Sequence, residues 1–269
     1  MADDLLARIT AAKRSAVEEA ARRLPRTQLE RMAAARPAPR PFAAALSRPG
    51  PSGVNCVAEI KRASPSRGLL REDLDPARLA RAYEAGGAAA LSVLTEERFF
   101  RGSTRDLLAA RAATALPVLR KDFLFCEWQL LESAALGADA VLLIARILEK
   151  QELSALLRLA SSLGMAALVE VFSAEDLEAA AEAGAVLIGI NNRDLATFTV
   201  DPGHTLRLLP RLRRGQIPLA ASGIRSRADI ERGLAHGVFN FLIGESLVVA
   251  EDPVRRLREL RGEGEDGRS

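Results

Sequence analysis

Between Val57 and Gly68 the chain reads V-A-E-I-K-R-A-S-P-S-R-G, an apolar run that ends in a proline turn and carries a carboxylate and an ammonium two residues apart. Residues two apart along a strand share a face, so Glu59 and Lys61 lie on the side of Val57. Taken alone, the pair fits either a salt bridge at a strand end or an acid and a cation facing a substrate. Three further stretches have the same form. Lys121 and Phe123 share a face with Leu119 in L-R-K-D-F, Glu170 follows Leu168 in L-V-E-V, and G-I-N-N-R-D brings Asn191 and Arg193. Ammonium groups that donate protons and stabilise oxyanions, next to carboxylates that exchange protons, are the equipment of general acid–base chemistry.

Lysine is scarce here. Of the 38 Lys and Arg residues only Lys13, Lys61, Lys121 and Lys150 are lysines. Arginine keeps its proton at biological pH, whereas lysine is a compact charge that can give its proton up, so a retained lysine hints at a specific use.

The elements that must position these groups follow from periodicity. Strand-like apolar runs are expected at Val54–Lys61, Ala88–Leu94, Pro117–Phe123, Ala138–Ile144, Ala166–Val171, Val186–Ile190, Pro218–Ser222 and Val238–Ile243. Helical stretches lie between them. They open on Asp75-Pro76, Ser103, Ser173, Ser226 and Asp252-Pro253, which suit helix N-termini, and several end at glycines such as Gly137, Gly164, Gly184 and Gly237. Eight βα units in a row predict an α/β fold, a closed (β/α)8 TIM barrel spanning residues 54–260. A doubly wound open sheet is the competing architecture, but neither a G-x-G-x-x-G turn nor a P-loop is present. An N-terminal helical extension precedes the barrel at 1–53. It contains an amphipathic helix over 4–24 stopped by Pro25, a shorter helix capped by Thr27, and a Pro/Gly-rich linker over 36–53. Residues 261–269 read as a disordered tail.

Composition narrows the function. The 269 residues are 48% hydrophobic and 27% charged, enough for a sizeable core, while aromatics are only 4% and argue against a stacking surface for nucleic acid. The net charge of +3 is small and fits an anionic small molecule better than a nucleic acid. Cys56 and Cys126 are not in a metal- or disulfide-type spacing and read as packing residues in a reducing, cytoplasmic setting. The N-terminal stretch is not patterned as a leader, and no apolar run approaches membrane-spanning length.

A barrel places its active site at the C-terminal strand ends. Glu59, Lys61, Lys121, Glu170, Asn191 and Arg193 all fall there, whereas the opposite strand ends carry almost nothing ionisable. Ser222-Gly223 and Gly244-Glu245 end the last two strands, where backbone N–H groups and a short helix suit a phosphate. His204 and His236 are expected on helices away from the site. Trp128 is expected to cover apolar surface on the third barrel helix, and Arg211, Arg213 and Arg214 to sit at a helix C-terminus.

The stretches E-I-K-R-A-S-P-S-R-G, S-V-L-T-E-E-R-F-F-R-G-S, V-L-R-K-D-F, G-A-D-A-V-L-L-I, L-V-E-V, G-I-N-N-R-D-L and A-S-G-I, in this order, closely resemble the indole-3-glycerol-phosphate synthase family. The resemblance implies ring closure, decarboxylation and dehydration of 1-(2-carboxyphenylamino)-1-deoxyribulose 5-phosphate in tryptophan biosynthesis. It implies no metal or organic cofactor. It makes Lys121 the general acid and sets Lys61 against the anionic groups of the substrate, with Glu59 balancing the two ammoniums. Left alone, those ammoniums would depress each other's pKa. Dehydration needs a second acid–base group, for which Glu170 is the candidate. Asn191 is expected on a substrate hydroxyl, Arg193 on the carboxylate, Ser64 in the loop over the substrate, and Phe100, Phe123, Leu142 and Leu242 around the aromatic ring. Ser222, Gly223, Gly244 and Glu245 remain the expected phosphate binders. The expected partner is a phosphorylated small molecule, with no nucleic acid and no membrane, for a monomer or weak homodimer.

One position departs from the pattern. Ala221 stands where the family usually has a glutamate, so another acid such as Glu97, or Glu59 itself, would have to carry that charge. Two other readings follow. One is a related phosphate-binding barrel such as phosphoribosylanthranilate isomerase, which would use Cys/Asp or paired Asp at the strand ends. The other, motivated by Ala221, is a catalytically weak barrel acting as a binding or scaffold subunit.

Overall fold

The computed structural model describes residues 5–194, 197 and 199–264. The extension forms α1 (Leu5–Arg23), α2 (Arg26–Ala35) and α3 (Phe42–Leu46). Next come β1 (Asn55–Ile60), β2 (Ala63–Ser64), β3 (Gly68–Leu69), α4 (Pro76–Ala85), β4 (Ala90–Leu94), α5 (Thr104–Ala112), β5 (Val118–Leu124) and α6 (Glu127–Ala135). The second half holds β6 (Ala140–Ile144), α7 (Lys150–Ser162), β7 (Ala166–Val171), α8 (Ala174–Glu182), β8 (Leu187–Asn191), α9 (His204–Leu208), β9 (Ile217–Ala221), α10 (Arg227–Leu234), β10 (Asn240–Ile243), α11 (Glu245–Val248) and α12 (Pro253–Arg261).

β1 and β4 to β10 pair in parallel and close into a barrel, β1 lying between β10 and β4. The eight expected runs are the eight barrel strands, with ends shifted by at most two residues. β2 and β3 are additional: they form a small antiparallel hairpin in the loop after β1, turning through Pro65, Ser66 and Arg67. The expected caps are in place. Asp75, Ser103, Ser173, Ser226 and Asp252 each accept a backbone N–H of the following turn. Thr27 is not a cap, because α2 begins one residue earlier, at Arg26, with Pro25 in the cap position. Pro25 fixes an extended backbone there and supplies the entry that a capping side chain would otherwise provide.

The pleat separates two apolar layers. Val57, Ala90, Leu119, Leu142, Leu168, Leu187, Leu219 and Leu242 fill the barrel interior. Their neighbours, including Ala58, Leu91, Val118, Val141, Val169, Ile188 and Phe241, face the helices. This alternation is what the period of two demands of strands buried on both sides.

The extension is integrated at both ends of the barrel. Leu6 and Ile9 of α1 belong to the same apolar cluster as Phe123 and Ile144 near the strand C-termini. α2 runs along α6, and Trp128 donates its indole N–H to Leu24 O at 2.9 Å. Residues 36–53, expected as a linker, carry α3. Phe42 and Leu46 of that helix are each 1% exposed and join the interior cluster. Each such burial stabilises by about 1.5–3 kcal/mol. Arg36 donates to Ala138 O at 2.8 Å, Arg40 donates to Leu116 O at 2.8 Å, and Asn240 reaches Leu46 O at 3.1 Å. The strand N-termini are not free of charge either. Asp139, buried just before β6, accepts the backbone N–H groups of Val118 and Arg40, both at 2.8 Å. Its role there is to fasten the extension.

His204 opens α9 and stacks on Phe172, with ring centroids 4.3 Å apart. His236 lies in the turn after α10 and contacts Arg232 O. Arg213 follows the 3-10 turn that succeeds α9 and pairs with Glu178. Cys56 is buried, and burial pushes its thiol up to about 12, as suits inert packing. Residues 265–269 of the expected tail lie outside the described residues; Arg261 closes α12 and Gly262 caps it with a left-handed backbone. Among the described residues no helix is long and apolar enough to cross a membrane.

Candidate active site

Every residue proposed from the motifs lines one cavity at the C-terminal mouth of the barrel. β1 delivers Glu59, with Lys61 just past its end, the hairpin Ser64, β5 Lys121 and Phe123, β6 Leu142, β7 Glu170, β8 Asn191, and β10 Leu242. Arg193 follows β8, Ser222 and Gly223 follow β9, Gly244 and Glu245 follow β10, and Phe100 sits in the loop after β4.

Among the described residues, two ion pairs join residues that both line the cavity. Lys61 Nζ lies 2.5 Å from Glu59 Oε1, with both side chains largely buried. Lys121 Nζ stands 3.7 Å from Glu170 Oε2, and Asn191 Nδ2 donates to the other oxygen, Oε1, at 3.1 Å. Asn191 is itself oriented by the Arg193 backbone N–H, which donates to its Oδ1 at 3.0 Å. Arg193 Nη1 then crosses to Ser66 Oγ at 2.8 Å and ties the end of β8 to the β2–β3 turn.

Charge balance sets the protonation states. Burial works against the Lys121 ammonium, but Glu170 and Glu59 outweigh it and hold its pKa above the ordinary lysine value. Burial likewise favours a neutral Glu59, yet Lys61 and Lys121 outweigh it and hold this carboxyl below its usual range. The mutual depression expected of two ammoniums is thus overcome at Lys121 by its carboxylates.

The strand-end turns carry backbone strain where an anion would sit. Ser222 has φ +65°, uncommon for a residue with a side chain, and Gly223 follows at +76°. Asn192 holds the turn by donating to Ser222 O at 3.1 Å. A side chain on Gly244 would meet Glu59 Oε1 at 2.3 Å, so the glycine leaves the Glu59 carboxylate its place beside β10. Ser64 Oγ is buried without a hydrogen-bond partner among the described residues. An orphan hydroxyl lining a cavity is a group available to a ligand. The carboxylate of Glu245 is held by Arg67 at 2.8 Å, which leaves its backbone N–H as the part suited to an anion. Phe100 and Phe123, tilted by 35° with centroids 6.1 Å apart, make an apolar wall with Leu142 and Leu242.

Some lining residues were not foreseen. Asp122 lines the cavity from the segment where β5 and β6 lose register: Arg120 and Leu124, four residues apart, pair with Val141 and Leu143, only two apart. Nothing in R-K-D-F signals that irregularity. Arg225 also lines the site, from the loop after β9. Glu97 is exposed and outside the cavity, so it does not replace the family's missing carboxylate. The neighbouring Glu96 is committed to its own loop, accepting the N–H groups of Arg98, Phe99 and Phe100.

The family model for indole-3-glycerol phosphate synthase matches residues 6–260. This chain belongs to that family. Among its relatives, the indole-3-glycerol phosphate synthase of Desulfosudis oleivorans is 54% identical over 258 residues, covering 96% of this chain and 98% of that protein. The one from Syntrophobacter fumaroxidans is 51% identical over 259 residues, with the same coverages. Solved structures show the barrel alone. A 3-hexulose-6-phosphate synthase from Salmonella typhimurium superposes with a TM-score of 0.61 at 17% identity, over 78% of this chain and 97% of that one. With the indole-3-glycerol phosphate synthase family comes its activity, that of a carboxy-lyase of tryptophan biosynthesis. Ala221, where the sequence resemblance led to an expected glutamate, ends β9, pairs with Asn191 and Leu242 and lines the cavity. Lys121 nonetheless keeps a raised pKa, because Glu170 and Glu59 suffice to hold its charge.

Proposed function

We propose that this mouth binds 1-(2-carboxyphenylamino)-1-deoxyribulose 5-phosphate with its ring against Phe100, Phe123, Leu142 and Leu242. The phosphate lies at the Ser222-Gly223 and Gly244-Glu245 turns, with Ser64 adding a hydroxyl. Lys61 and Arg193 meet the anionic groups, Arg193 taking the carboxylate. The ring carbon that bears the carboxylate attacks the ribulose carbonyl, and the Lys121 ammonium gives its proton to the oxygen as the carbon–carbon bond forms. Carbon dioxide then leaves with its bonding electrons returned to the ring. Dehydration removes the new hydroxyl as water together with a proton from the carbon beside the nitrogen, completing the indole. Glu170 serves as the acid–base group of this second step, and Asn191 holds a substrate hydroxyl beside it. A positioned general acid contributes about 10²–10⁴-fold, and a fixed ammonium stabilises the developing oxyanion with little reorganisation.

The observation that carries this reading is the Lys121–Glu170–Asn191 array facing an apolar wall, with a second cation–carboxylate pair, Lys61–Glu59, lining the same cavity as the strained β9 turn. The proposed form is a monomer or weak homodimer. The two free cysteines support a reducing, cytoplasmic setting. The test is direct: adding the carboxyphenylamino-deoxyribulose phosphate and following indole fluorescence should show product. No product at any protein concentration overturns the reading.

A further inference from the structure

Three of the four lysines lie within one part of the molecule. Lys61 and Lys121 are in the cavity; Lys13 is not, although its side chain is only 13% exposed. Lys150 is half exposed in a surface pair with Glu182. Lys13 extends from α1 to Asp122 Oδ2 at 2.7 Å, one residue after Lys121. The same oxygen accepts the Thr95 hydroxyl at 2.6 Å and Arg120 Nη2 at 3.4 Å, while Oδ1 accepts the Phe123 backbone N–H at 2.8 Å. Arg120 is in turn saturated by Glu132 at 2.8 Å, Ser133 at 3.0 Å and Thr95 at 3.1 Å.

This network lies in the bulge of β5, where the strand leaves its regular ladder and Lys121 is aimed into the site. A bulge re-aims a side chain but gives up ladder bonds. Here Asp122 supplies the replacement, gripping the Phe123 N–H on one side and three donors on the other. Among those donors Lys13 alone comes from outside the barrel. Its helix is seated at the same place by Arg14, whose guanidinium lies 4.5 Å from the centroid of the Phe125 ring, and by Leu6 and Ile9 in the cluster with Phe123. α1 otherwise uses arginine, at Arg8, Arg14, Arg22 and Arg23.

We infer that Lys13 is a positioning residue for the reaction, holding the bulged Lys121–Phe123 segment in its productive geometry through Asp122. The inference rests on Lys121 being the general acid. Removing one partner leaves a buried carboxylate short of a counter-charge, and the segment shifts to hydrate it. A displacement of about 1 Å at a reacting group can cost about 10²-fold in rate.

The experiment measures kcat, KM and Tm for Lys13→Met and Lys13→Arg, each assayed well below its own Tm, with Lys121→Met as reference. Lys13→Met should lower kcat at least tenfold with KM within twofold, and Lys13→Arg, which restores the charge, should recover the greater part. Wild-type kcat in Lys13→Met, a loss confined to KM, or a loss that Lys13→Arg does not relieve overturns the inference. Should Lys13→Met fail to fold, Lys13→Gln, which keeps a hydrogen-bond donor to Asp122 but not the charge, is read the same way; an unchanged kcat there overturns the inference. Activity in Lys121→Met would instead remove the assignment of the general acid, and the inference with it. An inactive Lys121→Met beside a fully active Lys13→Met sinks the inference alone.

Discussion

Lys121 and Asn191 share one carboxylate: the ammonium stands 3.7 Å from Glu170 Oε2 while the amide donates to Glu170 Oε1 at 3.1 Å. β5, β7 and β8 are thereby joined at their C-terminal ends by a cation, an acid and an amide. The carboxylate keeps the lysine charged, and the amide fixes which oxygen faces it.

Replacing Lys121 by Met removes the proton donor but keeps most of the side-chain volume. We expect kcat to fall by about 10²–10⁴-fold, with the dissociation constant for substrate changed much less, since Lys61 and Arg193 keep the anionic groups. Stopped-flow binding beside steady-state indole fluorescence measures both. A near-normal kcat would reassign the general acid.

Glu170→Gln keeps the bond to Asn191 and removes the charge. Lys121 then loses the first of the two carboxylates that offset its burial, so its pKa should drop. The alkaline limb of the kcat profile should move to lower pH, with kcat at neutral pH reduced by about 10²-fold. An unshifted limb would show that Glu59 holds the charge without help.

Ala221→Glu introduces the carboxylate the family usually has. Glu59 and Glu170 already outweigh the burial of Lys121, so kcat should change by less than about threefold. A gain of tenfold or more would mean that the glutamate acts on the substrate rather than on the lysine.

Asp122→Asn should expose the linkage between charge and stability. Burial favours the protonated acid, but Lys13 and Arg120 outweigh it, so the folded-state pKa lies below 3.8. The carboxylate's contribution is complete above the unfolded value of about 3.9 and is lost as pH falls through the lower folded value. Urea unfolding should find the variant weaker by about 3–5 kcal/mol at pH 7, the gap closing only below pH 3.8. A gap that grows on acidification would contradict the assignment.

Phe42→Ala tests the base of the barrel, remote from the chemistry. The side chain is 1% exposed within the interior cluster, and its loss should cost about 3–5 kcal/mol while kcat at a permissive temperature stays near the wild-type value. A selective loss of kcat would show that α3 communicates with the mouth.

The eight strands, their caps and the gathering of Glu59, Lys61, Lys121, Glu170, Asn191 and Arg193 were legible in the chain. Strand alternation and helix capping are local properties, and a closed barrel sends every strand's C-terminal end to one face. Other features depended on which surfaces meet. In residues 36–53 the apolar run Phe42–Leu46 is hemmed in by prolines and glycines that read as a linker, so the chain did not announce that Phe42 and Leu46 enter the barrel interior. Asp122 falls on the outward face by a strict period of two; its place in the cavity lining, in the segment where β5 and β6 lose register, is a feature of the tertiary structure. Lys13 could be singled out by its rarity. That its ammonium lies 2.7 Å from Asp122, across 109 residues of chain, was decided by the tertiary structure, because a buried carboxylate takes its counter-charge from whatever element folds over it.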